Sequence, residues 1–405
     1  MFDFETRDRL RAMGVTDEEL IALLEQALEM TAGRRTVERV ALLTRTCGAL
    51  YYSPGRGRMA ELANEATEIA GELRDPVARA LAAAARRRAF WDPGHLEQRL
   101  SDATELLTLG REAGDLELVL QGHAWLVVDL LEHGDSEAVN AQIEAFAAGA
   151  ERLRQPLYLW HAAVWRAMRA LLAGRLEEAD RLANEAVAMA AGGETVTAPQ
   201  YYAAQLLAIR LEQGRMAELE QPAREFVQSN AQRPAWRAAL ATLLCELGRT
   251  PEAQHEVDVL AQEDFEDIEQ DGDWMTAITL LADCCADLGD AERAGHLYRL
   301  LTPYRDANVV IGLAVVCLGS AARYLGRLAA TMGRDEEAKE HFERALVAEA
   351  ALKAPVCLAH TQLEYARLLG PGSSKAQELL HDATVTAERL GLTAVLRRAA
   401  ALNWG

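Results

Sequence analysis

The sequence predicts an all-α repeat protein, and three observations carry that prediction. Gly94, Gly134, Gly174 and Gly214 fall 40 residues apart, and Gly248, Gly289 and Gly333 follow at 34, 41 and 44. A period of this size marks helix–turn–helix units that stack, each on its neighbour. A helical apolar period runs from about residue 16 to 402. Strand signals are close to absent, since no Asn-Gly turn joins alternating β-branched runs. Together these give an α-solenoid, a right-handed superhelix of about nine helix pairs. Such an array grows without the size limit of a single compact core, which suits 405 residues.

The elements follow in order. A capping segment, 1–34, holds a short helix near 17–30. The repeat superhelix occupies 35–390, with helix pairs expected at 35–51/56–73, 75–91/95–113, 115–132/135–153, 156–173/175–190, 199–213/215–229, 234–247/250–263, 273–288/290–302, 310–332/334–351 and 354–369/374–390. A capping helix near 392–402 lies in a last segment, 391–405. Pro76, Pro156, Pro199, Pro234 and Pro355 each open the first helix of a pair, where a missing N–H costs nothing. Gly174, Gly214, Gly248, Gly289 and Gly333 stand just past first helices, where a positive φ ends a helix. Pro222, inside the second helix at 215–229, is expected to kink or break it. Two stretches are irregular. EDFEDIEQDGD, 263–273, has seven acidic residues and reads as a solvated linker, since it lacks the spacing of a calcium loop. AGGETVTAPQ, 191–200, reads as a longer loop.

Charge and composition exclude several classes. The net charge of −20 repels phosphate backbones and anionic membrane surfaces, so no direct nucleic-acid and no membrane partner is expected. No apolar run reaches transmembrane length. The opening MFDFETRDRL lacks the apolar stretch of a secretory signal, so a cytoplasmic location is expected. Only Lys339, Lys353 and Lys375 accompany 39 arginines, a skew that suggests a GC-rich bacterial genome. Six dispersed cysteines, none in a C-x-x-C pair, read as buried reduced thiols. The adjacent Cys284 and Cys285 leave a vicinal redox switch as the alternative.

The second helices carry a recurrent small–large–small pattern: Gly333 with Ala338, Phe342 and Ala345, Gly289 with Ala294, Tyr298 and Leu301, and Gly174 with Ala179, Ala183 and Ala186. Closely crossing helices need a small residue at the crossing and a large one beside it. The Leu325-Gly326 pair supplies the matching face in the eighth unit. This pattern resembles the tetratricopeptide repeat. The longer stretches 155–190, 233–249, 317–346 and 358–369 are similar to the C-terminal helical sensor region of bacterial STAND-type signalling ATPases, including maltose-activator-like and LuxR-type regulators. The resemblance covers most of residues 30–400. It implies a helical array that senses a ligand and releases an attached ATPase. The sequence has no G-x-x-x-x-G-K-[ST], no cyclase module and no helix-turn-helix after ALNWG, so ATPase, cyclase and DNA-binding activities do not carry over.

Counting from each turn glycine, the tetratricopeptide register points a set of first-helix residues to a concave surface: Tyr201, Thr276, Thr279, Asp283, Ser320, Arg323, Arg327, Thr331, His360, Glu364 and Arg367. This ring of Arg, Thr, Asp, His and Glu reads as a polar groove for a peptide terminus or a small polar effector, with arginines forking a carboxylate. The alternative is a set of solvated polar positions. The stretch Tyr158, Trp160, His161, Trp165, Arg166 and Arg169 reads either as a stacking platform or as thick core packing. Trp91, Trp125, Trp236 and Trp274 are expected to pack in unit cores.

No catalytic constellation, metal set or cofactor motif occurs. The nine histidines include no H-E-x-x-H, and His360 with Glu364 supplies two donors without a third. The expected function is therefore a non-catalytic interaction or sensor module in signalling or transcription regulation. Two other readings stand beside it. One is a free-standing scaffold acting on a partner in trans or as a homodimer, which an apolar edge on a terminal unit would favour. The other is an enzyme using the groove. Arg323→Ala and Arg327→Ala are expected to weaken binding and leave the fold intact.

Overall fold

The computed structural model describes residues 17–53, 57–190, 197–230, 233–402 and 404. The loop expected at 191–200 lies outside these residues as far as 196, as does the capping segment up to residue 16. Twenty α-helices are present among them. A lone helix, α1 (Glu18–Met30), is followed by the pairs α2 (Val37–Ala49) and α3 (Gly57–Leu73), α4 (Pro76–Ala89) and α5 (Leu96–Ala113), α6 (Leu116–His133) and α7 (Ser136–Leu153), and α8 (Pro156–Leu172) and α9 (Leu176–Met189). Then come α10 (Ala198–Glu212) and α11 (Glu220–Ser229), α12 (Pro234–Glu246) and α13 (Thr250–Leu260), and α14 (Trp274–Leu288) and α15 (Ala291–Leu301). The last are α16 (Ala321–Thr331) and α17 (Asp335–Ala351), α18 (Pro355–Leu369) and α19 (Ser374–Leu390), and α20 (Thr393–Ala401).

Local chemistry sets these boundaries. Asp75 accepts a hydrogen bond from the Ala78 amide at 2.9 Å and starts α4 ahead of Pro76. Asp290 caps α15 in the same way. The period glycines from Gly134 to Gly333 all have positive φ, the backbone state that reverses the chain after a first helix. Pro222 does not kink a helix. A 3₁₀ turn at Met216–Leu219 precedes α11, and Pro222 falls in the first turn of that helix, where no N–H is needed.

The eighth pair departs from expectation. Instead of a helix from 310, the chain forms an antiparallel hairpin, β1 (Asn308–Ile311) with β2 (Val316–Ser320), and α16 starts only at Ala321. Val309 pairs with Gly319, Val310 with Cys317 and Ile311 with Val316, and the β-branched Val309, Val310, Ile311 and Val316 favour strand. The register shift between Val309 and Val310 is a bulge.

The residues group into two compact units. The first comprises residues 1–130, 137–162 and 186–201. In it, α2 packs on α3 and α4, and α4 on α5. At its centre the Arg87 guanidinium lies 3.8 Å from the Trp125 ring centroid and 4.9 Å from that of Trp91. Arg87 and Arg99 both bind Asp129, at 2.5 and 2.9 Å, and all three are buried.

The second unit comprises residues 131–136, 163–185 and 202–405. Here α12 packs on α13 and α14, α14 on α15 and α16, and α16 on α17 and α18. Each first helix thus touches its own second helix and the first helix of a neighbouring pair. Gly326 sits against Phe342, where an added Cβ would come within 2.8 Å of the ring, so the small–large crossing is present. The hairpin is buried within this unit. Trp165 Nε1 donates to the Leu313 carbonyl at 2.8 Å, Gln205 Nε2 to the Val315 carbonyl at 3.0 Å, and Asn308 Nδ2 to the Leu131 carbonyl at 3.1 Å. The acidic stretch 263–273 is more than a solvated linker: Phe265 and Ile268 are buried in the core, and Arg233 pairs with Asp271 and Asp273.

Candidate functional site

Three first helices of the second unit, α14, α16 and α18, bring most of the expected polar residues together. Arg327 on α16 is the hub. Its guanidinium donates to Asp283 at 2.5 Å and to Asp287, both on α14, and its Nε lies 3.7 Å from Glu364 on α18. Spacing explains the geometry: Asp283 and Asp287 are one helical turn apart and so present both carboxylates to one facing arginine. Burial raises the proton affinity of Asp287, but Arg327 and Arg398 outweigh it and hold the carboxyl below its usual range. Glu364 is held down likewise by Arg327, Arg367 and Arg398 against its burial.

A second group sits beside the first. Arg323 NH2 donates to the Leu318 carbonyl at 2.9 Å and to the Tyr324 hydroxyl at 2.6 Å, with its Nε 3.8 Å from Glu349. Glu349, fully buried on α17, accepts from the Ser320 amide and the Thr361 hydroxyl. Burial pushes its carboxyl above the ordinary value, although Arg323 and these hydrogen bonds oppose the rise. Ser320 itself caps α16 through the Ala322 amide. His360 on α18 meets Glu212 on α10 at 2.9 Å.

The expected residues therefore converge, but mostly as a buried network and not on an open face. Thr276, Thr279, Ser320, Arg323, Arg327, His360 and Glu364 are all buried. Thr279 donates to its own helix at Met275, and so does Thr331 at Arg327. Arg367 is the exposed member, its side chain 55% accessible, and Asp283 is partly exposed at 18%. The aromatic stretch on α8 divides. Trp160 stacks on Tyr201 in the first unit with centroids 5.2 Å apart and His161 alongside, while Trp165 belongs to the second unit and holds the hairpin. Tyr158, Trp160, His161, Trp165 and Tyr201 are buried in packing, Arg169 is half-buried and Arg166 is exposed.

Sequence reasoning missed Asp287, Glu349, Glu212, Glu246 and Arg398. Asp287 had a signal, since it lies one turn beyond Asp283 on the face already chosen. Glu212 and Glu246 had none, because their partners are more than a hundred residues away along the chain, and the Glu246–Arg398 contact was hidden for the same reason.

Among the described residues no group of three or more His, Cys, Asp or Glu side chains is placed to hold a metal ion, and no helix is long and apolar enough to cross a membrane. All six cysteines are unbridged. Burial pushes the thiols of Cys285 and Cys317 up to about 12, which suppresses the reactive thiolate. No protein-family model matches the chain, and no curated protein matches it. Among the described residues the chain is an all-α protein built of successive helix pairs, with one small hairpin.

Proposed function

We propose that the chain is a non-catalytic interaction or sensor module of tetratricopeptide-like superhelical type. It takes a protein segment or a small polar effector at the arginine–carboxylate cluster of α14, α16 and α18. The observation that carries this reading is the hub of Arg327 with Asp283, Asp287 and Glu364, and the exposed Arg367 at its margin. A charged network costs desolvation energy that apolar packing would avoid, and a recognition role accounts for keeping it. Thr276, Thr279, Arg323 and Arg327 are buried, so binding is assigned to the margin at the partly exposed Asp283 and the exposed Arg367. The likeness to STAND-type sensors suggests that binding is read out by a signalling or transcriptional partner in the bacterial cytoplasm. The net charge of −20 argues against nucleic acid as that partner.

Native mass spectrometry of the gently purified chain tests this first. A small-molecule adduct that Arg367→Ala abolishes identifies an effector. A bare mass directs the search to a protein segment whose binding Arg367→Glu abolishes. A ligand indifferent to both variants removes the cluster as the site.

A second reading, a scaffold acting in trans or as a homodimer, is favoured by α1. The helix leaves Leu23 at 64% and Met30 at 75% exposed, and an apolar edge of this kind suits association. Sedimentation of wild type beside Leu23→Glu/Met30→Glu separates the two readings: a dimer dissolved by the variant supports the second.

A further inference from the structure

The helix α20 does more than follow α19. Together with the end of α19 it lies against the turn ends of three earlier pairs within the second unit. Leu390, at the end of α19, lies against Gly174, where an added Cβ would come within 2.6 Å of its side chain. Thr393 lies against Gly214, where the corresponding approach is 2.9 Å. Arg397 and Arg398 both donate to Glu246 at the end of α12, and Arg398 also lies 3.5 Å from Asp287 and 3.8 Å from Glu364. The turn ends of successive pairs thus form a ladder, and residues 390–398 lie along it.

We propose that α20 is a resident latch on an acidic seat formed by Glu246, Asp287 and Glu364, and that the seat takes in trans a helical partner segment presenting two adjacent arginines. This deepens the proposed function and rests on it. Charge complementarity selects the occupant. Among the described residues Glu246 has no cationic partner besides Arg397 and Arg398. Arg327 is already engaged by Asp283, so lifting α20 leaves Glu246 without its cations and leaves Asp287 and Glu364 to Arg327 and Arg367. Each arginine brings a planar fork suited to a carboxylate. The lightness of the attachment makes exchange feasible. The helix has nine residues and buries only Ala394 and Val395, and a helix this short is marginal alone. Gly391, with φ of 69°, separates it from α19 and supplies a hinge. Elements with few buried apolar contacts open first.

The experiment uses a fluorescein-labelled peptide of residues 388–404, titrated into the full-length chain as wild type and as Arg397→Glu/Arg398→Glu. The double variant sets like charges against Glu246 and lifts the latch, leaving the seat to the peptide. It is expected to bind the peptide at least about tenfold more tightly than wild type, in which the tethered latch competes at high effective concentration. A peptide with Arg397 and Arg398 replaced by alanine is expected not to bind. Equal binding by both chains, or no binding by a variant with an unchanged circular dichroism spectrum, overturns the proposal. Hydrogen exchange on the wild-type chain removes dependence on the variant's folding. The α20 amides are expected to exchange about tenfold or more faster than those of α18. Exchange only together with α18 and α19 makes α20 a fixed cap and overturns the latch. If the peptide fails while another ligand still depends on Arg367, the latch alone falls. If no ligand depends on Arg367, the underlying reading falls with it.

Discussion

His360 on α18 and Glu212 on α10 meet at 2.9 Å although 148 residues separate them in the chain. Both side chains are buried, so each satisfies a polar group that water does not reach. Replacing either one by leucine orphans the other, at a cost of about 1–3 kcal/mol. The double variant His360→Leu/Glu212→Leu is expected to cost less than the two single changes together. Urea unfolding of the four chains measures the coupling, and strict additivity would show that the contact contributes nothing.

Arg327→Met is expected to destabilise the chain by about 3–5 kcal/mol, because it leaves buried carboxylates without their cation. This replaces the expectation that losing Arg327 spares the fold, and it makes Arg367 the better probe of binding. The pH dependence gives the sign. Asp287 and Glu364 are held below their ordinary values of 3.8 and 4.5, so they contribute stability above those values that is lost as pH falls through their folded-state titration. The gap between wild type and Arg327→Met is therefore expected to narrow in acid. Thermal melts at pH 7 and at about pH 2.5, below both ordinary values, measure it, and a constant gap would contradict the network.

His161 offers an independent acid handle in the first unit. Burial lowers its imidazole from 6.5 to about 4. The stability it contributes is full above 6.5 and is lost as pH falls toward 4, amounting to about 3 kcal/mol. His161→Gln, which cannot titrate, is expected to flatten the stability profile across that window. A profile as steep as that of wild type would place the acid response elsewhere.

Gly326→Ala sets a methyl group against the Phe342 ring at 2.8 Å. The loss is expected to be about 1–3 kcal/mol. Combining it with Phe342→Leu, which frees space, is expected to recover part of the loss relative to the sum of the single changes. Calorimetric melting temperatures decide, and the absence of recovery would mean that the helix crossing tolerates a wider separation.

Trp165→Phe keeps one aromatic ring but deletes the five-membered ring of the indole with the N–H that holds the Leu313 carbonyl. A stability loss of about 1–2 kcal/mol is expected, with faster hydrogen exchange concentrated in β1 and β2. Uniformly faster exchange across the second unit would show that the hairpin has no stability of its own to lose.

The helix pairs were legible because their signals are local. A turn glycine, a proline in the first helical turn and an apolar face every 3.6 residues all act within one unit, and the periods in the sequence match the helices found. The hairpin escaped the same reading although Val309–Ile311 and Val315–Val316 carry β-branched signal. The apolar run also fits a buried helix, and nothing nearby in the sequence announces the carbonyl partners Trp165 and Gln205.

The sequence by itself determined the all-helical class and the succession of helix pairs, since each depends on spacing within one helix or between adjacent ones. Tertiary structure alone decided that Arg323, Arg327, His360 and Glu364 are buried, that a hairpin fills the second unit and that Arg397 and Arg398 close on Glu246. Those outcomes depend on how small rotations between successive units add up across more than a hundred residues. No local signal encodes that sum, because its effect appears only when distant ends of the unit come into contact.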